Sequence, residues 1–114
     1  MPTPIRNPNQ ANRYTLPVQH YLQQWDNQLI STIKDSGLGN ALLATIIGCA
    51  INNQAFDLEQ WLIDIGVDEL HRTMFKLQHQ LVVEQLFMDL NNFVFAHAVV
   101  SWNIVSGTLI MEVI

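Results

Sequence analysis

A chain of 114 residues with 49% hydrophobic and 13% charged side chains is long enough for one unaided core and too apolar for general disorder. Ten acids against five Lys and Arg, a net charge of −5, oppose nucleic-acid binding, which needs a basic surface. A single cysteine, Cys49, excludes an internal disulfide framework and fits a reducing compartment, so the expected location is cytoplasmic or within a virion or protein assembly.

With so few charges, the polar surface falls to amides, ten Asn and ten Gln. Amides hydrogen-bond in any direction but carry no long-range repulsion, so such a surface tolerates close packing against a neighbour.

All four prolines, Pro2, Pro4, Pro8 and Pro17, lie in the first 17 residues. Each fixes φ and pushes its predecessor toward extended geometry, which predicts an extended arm over 1–17 preceding a single globular domain over 18–114. Arg6 and Arg13 give the arm a charge of +2, whereas the body carries −7. Opposite charges invite the arm to lie across a body, its own or a neighbour's. Were it a neighbour's, removing residues 1–16 would leave the thermal midpoint nearly unchanged. The start has no apolar stretch of the kind a signal peptide needs. Nor is a membrane partner expected: residues 41–51 are too short an apolar run to span a bilayer. Residues 93–114 are long enough but are broken by His97, Ser101, Asn103, Ser106, Gly107 and Glu112.

Residues 18–35 predict a helix. Val18, Tyr21, Leu22, Trp25, Leu29, Ile30 and Ile33 recur at three- and four-residue spacing opposite a glutamine-rich face. Pro17 suits its first turn and Gly37 a left-handed stop. Asn40 is placed to cap a second helix through Ile51, apolar on nearly every side and therefore central, with Gly48 permitting a close crossing. Asp57, with Gln60 three residues on, opens a short third helix that Gly66 ends. From Asp68 the chain is helical again: Leu70, Met74, Leu77 and Leu81 repeat at helix spacing. Val82, Val83, Leu86, Phe87 and Leu90 extend that pattern, with a strand from near Asn92 as the alternative.

The C-terminal segment turns to β-branched and aromatic residues. Residues 93–105 and 108–114 alternate around Ser106-Gly107 as a hairpin, Gly107 supplying positive φ. Val100, Trp102 and Ile104 are expected on one face, with Val99, Ser101 and Asn103 on the other. A lone hairpin is marginal, so it needs helices against one face and leaves its apolar last strand at an edge. The fold class expected is α+β: three to four helices packed against a C-terminal antiparallel hairpin or small sheet.

Residues capable of chemistry are few and scattered. Among His20, His71, His79 and His97 no two lie within seven positions, whereas zinc needs converging ligands, often at tight spacing. Asp64, Asp68 and His71 come nearest, but Gly66 separates Asp64 from a pair suited to a helix start. Cys49 has no charged neighbour to lower its pKa. His97 and Ser101, if on one strand, stand roughly 13 Å apart. Gly37-Leu38-Gly39 is too short for a phosphate loop. No catalytic, cofactor-binding or metal-ligating residue is expected. Trp25 and Trp61 read as core, and Trp102 is open to an interface role.

Glu59-Gln60-Trp61-Leu62 through Ile65-Gly66-Val67 resembles the opening of a SAM domain, a helical self-association module. The family's later helices and Leu-Gly-Ile signature are absent, and the β-rich C-terminus is foreign to it, so the resemblance is not adopted.

The function expected is a non-catalytic protein–protein interaction or assembly subunit, of which a phage-type structural component is one example. Its partner is another protein or a second copy of itself, engaged through the arm and by β-augmentation at the last strand. The expected interface residues are Arg6, Arg13, Tyr14, Trp102, Leu109, Met111 and Val113. The alternative is an acidic inhibitor, of immunity or anti-defence type, that masks a basic site on its target.

Overall fold

In the computed structural model, which describes residues 4–114 apart from the side chain of Ser31, strands flank four helices along the chain. The order is β1 (Ile5–Asn7), β2 (Gln10–Pro17), α1 (Gln19–Ile33), α2 (Leu38–Ile51), α3 (Leu58–Asp64), α4 (Glu69–Ala96), β3 (Val99–Val105) and β4 (Thr108–Val113). The first three residues of the expected arm lie outside the described residues. The class is α+β as expected, with four helices and a four-stranded antiparallel sheet ordered β1-β2-β4-β3.

That order corrects two expectations. Residues 5–17 are extended, but they form a hairpin whose second strand pairs with β4 of the same chain, from Arg13 opposite Glu112 to Pro17 opposite Thr108. The last strand is therefore interior and not an edge. Pairing across almost the whole chain leaves no local signal, so the strands that complete the expected small sheet are not legible in the C-terminal segment. The proline spacing that predicted extended backbone is equally what strand ends and a turn require: Pro8-Asn9 is the β1–β2 turn, where Asn7 Oδ1 accepts from the Asn9 N–H at 2.8 Å.

Register fixes which side chains reach the core. Leu109 lies between Leu16 and Ile104, and Met111 between Tyr14 and Trp102. Side chains alternate, so this row faces the helices and the Arg13, Thr15, Ile110 and Glu112 row faces outward. A bulge between Val99 and Ser101 puts two residues where the pattern expected one. Val99 consequently packs on the core and Val100 is exposed, the reverse of the simple alternation. Ser106 and Gly107 both have positive φ, 50° and 74°, the two-residue turn that matches strand twist. The Val18 N–H donates to Gly107 O at 2.9 Å, tying the start of α1 to that turn.

The helices meet through one glycine. A Cβ at Gly39 would lie 2.4 Å from the Leu22 carbonyl oxygen, whereas one at Gly48 would meet nothing within 4 Å. The close crossing expected at Gly48 is thus at Gly39, where α2 crosses α1. The α1 stop also shifts: Lys34 takes the left-handed conformation (φ 54°), and Gly37 (φ 82°) is the N-cap of α2. α2 starts at Leu38 rather than at an Asn40 cap, because Asp26 of α1 accepts from the Leu38 N–H at 2.8 Å. Asp57 caps α3 as expected, its Oδ1 accepting from the Gln60 N–H at 3.1 Å. α4 runs 28 residues without a break to Ala96, about 42 Å at 1.5 Å per residue, so no strand begins near Asn92.

The core gathers Leu16, Val18, Trp25, Leu29, Leu42, Leu43, Ile46, Ile47, Phe75, Val83, Leu86, Leu109 and Met111, all essentially without exposure. Trp25 is core as expected and Trp61 packs half-buried against it. The accessible surface, 6649 Å², is somewhat above the roughly 6,300 Å² typical of a monomer of this mass. An elongated body of 45 × 26 × 20 Å and a set of exposed large apolar side chains account for that direction.

Candidate interaction surfaces

The seven expected interface residues divide. Leu109, Met111 and Val113 point from β4 into the core and are 0%, 1% and 8% exposed, so they are not available to a partner. Tyr14 sits over the end of α4, its ring 5.0 Å from both the Phe93 and the His97 ring, and those two stack at 4.3 Å. Arg13 is bound on the outer sheet face by Glu112 of β4, at 2.9 Å. The attraction between arm and body is thus realised within one chain at this pair. Trp102 is half-buried on the inner face, and Arg6 is exposed on β1.

Both true sheet edges are blunted. β1 has three residues and prolines on either side, which removes N–H donors a new strand would need. On β3, Val105 and Thr108 flank the two-residue turn and exchange ladder bonds, so the Ile104 N–H points away from β4. Asn103 Oδ1 accepts from that N–H at 2.9 Å, occupying a donor that strand addition would use.

Six of the twelve exposed large apolar side chains among the described residues lie elsewhere, on α4. α4 buries Phe75, His79, Val83, Leu86 and Leu90 against the body. Leu70, Met74, Leu77, Leu81, Met88 and Phe95 of the same helix are exposed, Leu77 at 83%, Leu81 at 80% and Phe95 at 80%. At 3.6 residues per turn these six fall in one sector about 60° wide, on the side opposite the buried row. Sequence reasoning found the repeat at 70, 74, 77 and 81 but not its direction. Projecting residues 69–96 as one helix reveals two apolar stripes, of which only one can face the body.

Among the described residues no group of three His, Cys, Asp or Glu side chains is close enough to hold a metal. His97 is the C-terminal cap residue of α4 and not a strand residue beside Ser101; its Nδ1 lies 3.1 Å from Phe93 O. His71 hydrogen-bonds Asp68 at the start of α4, holding that carboxyl below its ordinary pKa. His79 faces α1, donating from Nε2 to Gln28 Oε1 with Phe75 beside its ring, and burial pushes its pKa down. A cleft of about 520 Å³ runs between α1 and the β3–β4 hairpin, walled by Gln19, Gln23, Asp26, Asn40, Trp102 and Ile104. Its one carboxylate among these, Asp26, is engaged in capping α2.

Acidic side chains are spent in local pairs. Glu59 of α3 meets Lys76 at 2.8 Å and Arg72 at 3.9 Å on α4, and Gln60, Gln80 and Gln85 donate to Asp64, Glu84 and Asp89 one helical turn on. No helix among the described residues is long and apolar enough to cross a membrane. Comparison with protein-family models, with curated proteins and with solved structures finds no match to this chain.

Proposed function

We propose that this protein is a non-catalytic interaction or assembly subunit whose docking surface is the outer stripe of α4. The observation that carries the reading is the row Leu70, Met74, Leu77, Leu81, Met88 and Phe95, exposed in one sector along one helix. Scattered exposed leucines are ordinary, but a continuous apolar surface of several hundred Å² on a small chain marks a site that another surface covers. The amide-rich remainder supports the same reading, because it weakens the repulsion that keeps monomers apart.

The expected docking elements are replaced in this reading: the hairpin 5–17 and β4 serve the chain's own sheet, and α4 takes over. The acidic-inhibitor reading rests on net charge alone and draws nothing from the stripe.

Size-exclusion chromatography with light scattering, on the chain alone and on affinity-purified material from its native source, tests the reading. An oligomer, or a stoichiometric complex lost when Leu77 and Leu81 become polar, is the expected result. A chain that stays monomeric at high concentration and whose only complex survives those substitutions overturns it and favours the inhibitor.

A further inference from the structure

We propose that the occupant of the α4 stripe is α4 of a second copy of this chain, packed antiparallel across a two-fold axis with Leu77 and Leu81 at its centre. This rests on the assembly reading above and adds the partner and the orientation.

The spacing identifies a helical occupant. Met74, Leu81, Met88 and Phe95 recur every seven residues, and Leu70 and Leu77 each precede one of them by four. From Leu70 to Leu81 that is the alternating four-and-three seam by which two helices interlock side chains, and beyond it Glu84 and Asn91 take the intervening positions. Its apolar members reach from Leu70 to Phe95 of a 28-residue helix, each of them exposed.

Area fits a second copy. At roughly 120 Å² for each exposed large apolar side chain, the five from Leu70 to Met88 offer on the order of 600 Å² per copy, approaching the roughly 800 Å² per partner of a standard stable interface, while Phe95 lies beyond the end of the partner helix. Because a two-fold interface uses one patch twice, no other surface need be supplied.

Charge selects both partner and orientation. Gln78, Gln85 and Asn92 line one margin of the stripe, and Glu84 takes the seam position between Leu81 and Met88. No Lys or Arg borders it as the polar face of a lipid-binding helix would require. In a parallel pair Glu84 would face its own copy. Centring an antiparallel pair between Leu77 and Leu81 sets Leu77 opposite Leu81, Leu70 opposite Met88, and Glu84 opposite Met74. Like charges are then kept apart and the most exposed leucines occupy the middle, where interface energy concentrates.

The full chain tests this by light scattering and by cross-linking. The wild type should run at twice the 13.0 kDa chain mass, and Leu77→Glu with Leu81→Glu should halve the mass while leaving the far-ultraviolet circular dichroism unchanged. With Cys49→Ala as background, mixing Met74→Cys and Glu84→Cys chains should give a disulfide-linked dimer under mild oxidation that neither gives alone. A dimer that persists in the double glutamate variant overturns the inference and leaves the assembly reading standing on another surface. Linkage within Met74→Cys chains alone overturns the antiparallel arrangement. A monomeric wild type overturns the inference: if its stripe binds phosphatidylcholine–phosphatidylglycerol vesicles the occupant is lipid, and if it binds neither vesicle nor protein the assembly reading falls with it.

Discussion

The Asp26 carboxylate on α1 accepts from the backbone N–H of Leu38, at 2.8 Å, and so caps a helix to which it does not belong. The first turn of α2 has otherwise no side-chain cap, its N-cap residue being Gly37. One side chain therefore satisfies a donor at the helix start and joins α1 to α2 beside the Gly39 crossing.

Replacing it separates these roles. Asp26→Ala should lower stability by about 1–2 kcal/mol, the range for a lost N-cap, while Asp26→Asn should retain most of it. Urea unfolding monitored by tryptophan fluorescence would measure both, and an alanine variant as stable as wild type would show that water caps α2 equally well.

Two glycines of α2 should respond oppositely to alanine. At Gly39 the new Cβ would meet the Leu22 carbonyl at 2.4 Å, forcing the helices apart at a cost of about 1–3 kcal/mol or more. At Gly48 nothing lies within 4 Å, and alanine should stabilise by up to about 1 kcal/mol through helix propensity. Thermal unfolding of the two variants side by side checks the sign of each.

Removal of residues 1–17 should destabilise the chain severely, contrary to what a free arm implies. β2 supplies Leu16, 2% exposed, to the core, and its loss uncovers the backbone of β4 along five paired residues. The expected outcome is loss of cooperative unfolding, or a midpoint lowered by about 10 °C or more. An unchanged midpoint would mean that β2 contributes nothing to the monomer core.

His79 gives stability a pH dependence. Burial lowers its folded-state pKa, so below its unfolded value of about 6.5 the unfolded chain binds the proton more readily than the folded one. The contribution is fully present above about pH 6.5 and is lost as pH falls toward the folded value, with a slope of at most about 1.4 kcal/mol per pH unit. Urea midpoints should therefore fall between pH 7.5 and pH 5.5, and His79→Gln should flatten that fall. Equal slopes in variant and wild type would assign it to other groups.

Local order was legible from residue pattern alone. The short-range signals were sufficient: three- and four-residue apolar spacing for α1, the Asp57–Gln60 pair for α3, and Ser106-Gly107 for the β3–β4 turn. Each rests on interactions between residues close in the chain, and each needs no knowledge of what lies across the molecule.

What periodicity could not supply was direction. The Leu70–Leu81 repeat and the Phe75–Leu90 repeat are both valid faces of one helix, and only docking against α2 and α3 decided which turned inward. The pairing of residues 13–17 with residues 108–112 joins segments separated by nearly the whole chain, so no turn or spacing encodes it. Those long-range contacts also decided exposure on the sheet: Leu109 and Met111 lie buried between β2 and β3, while Leu77 and Leu81 of α4 stand in water.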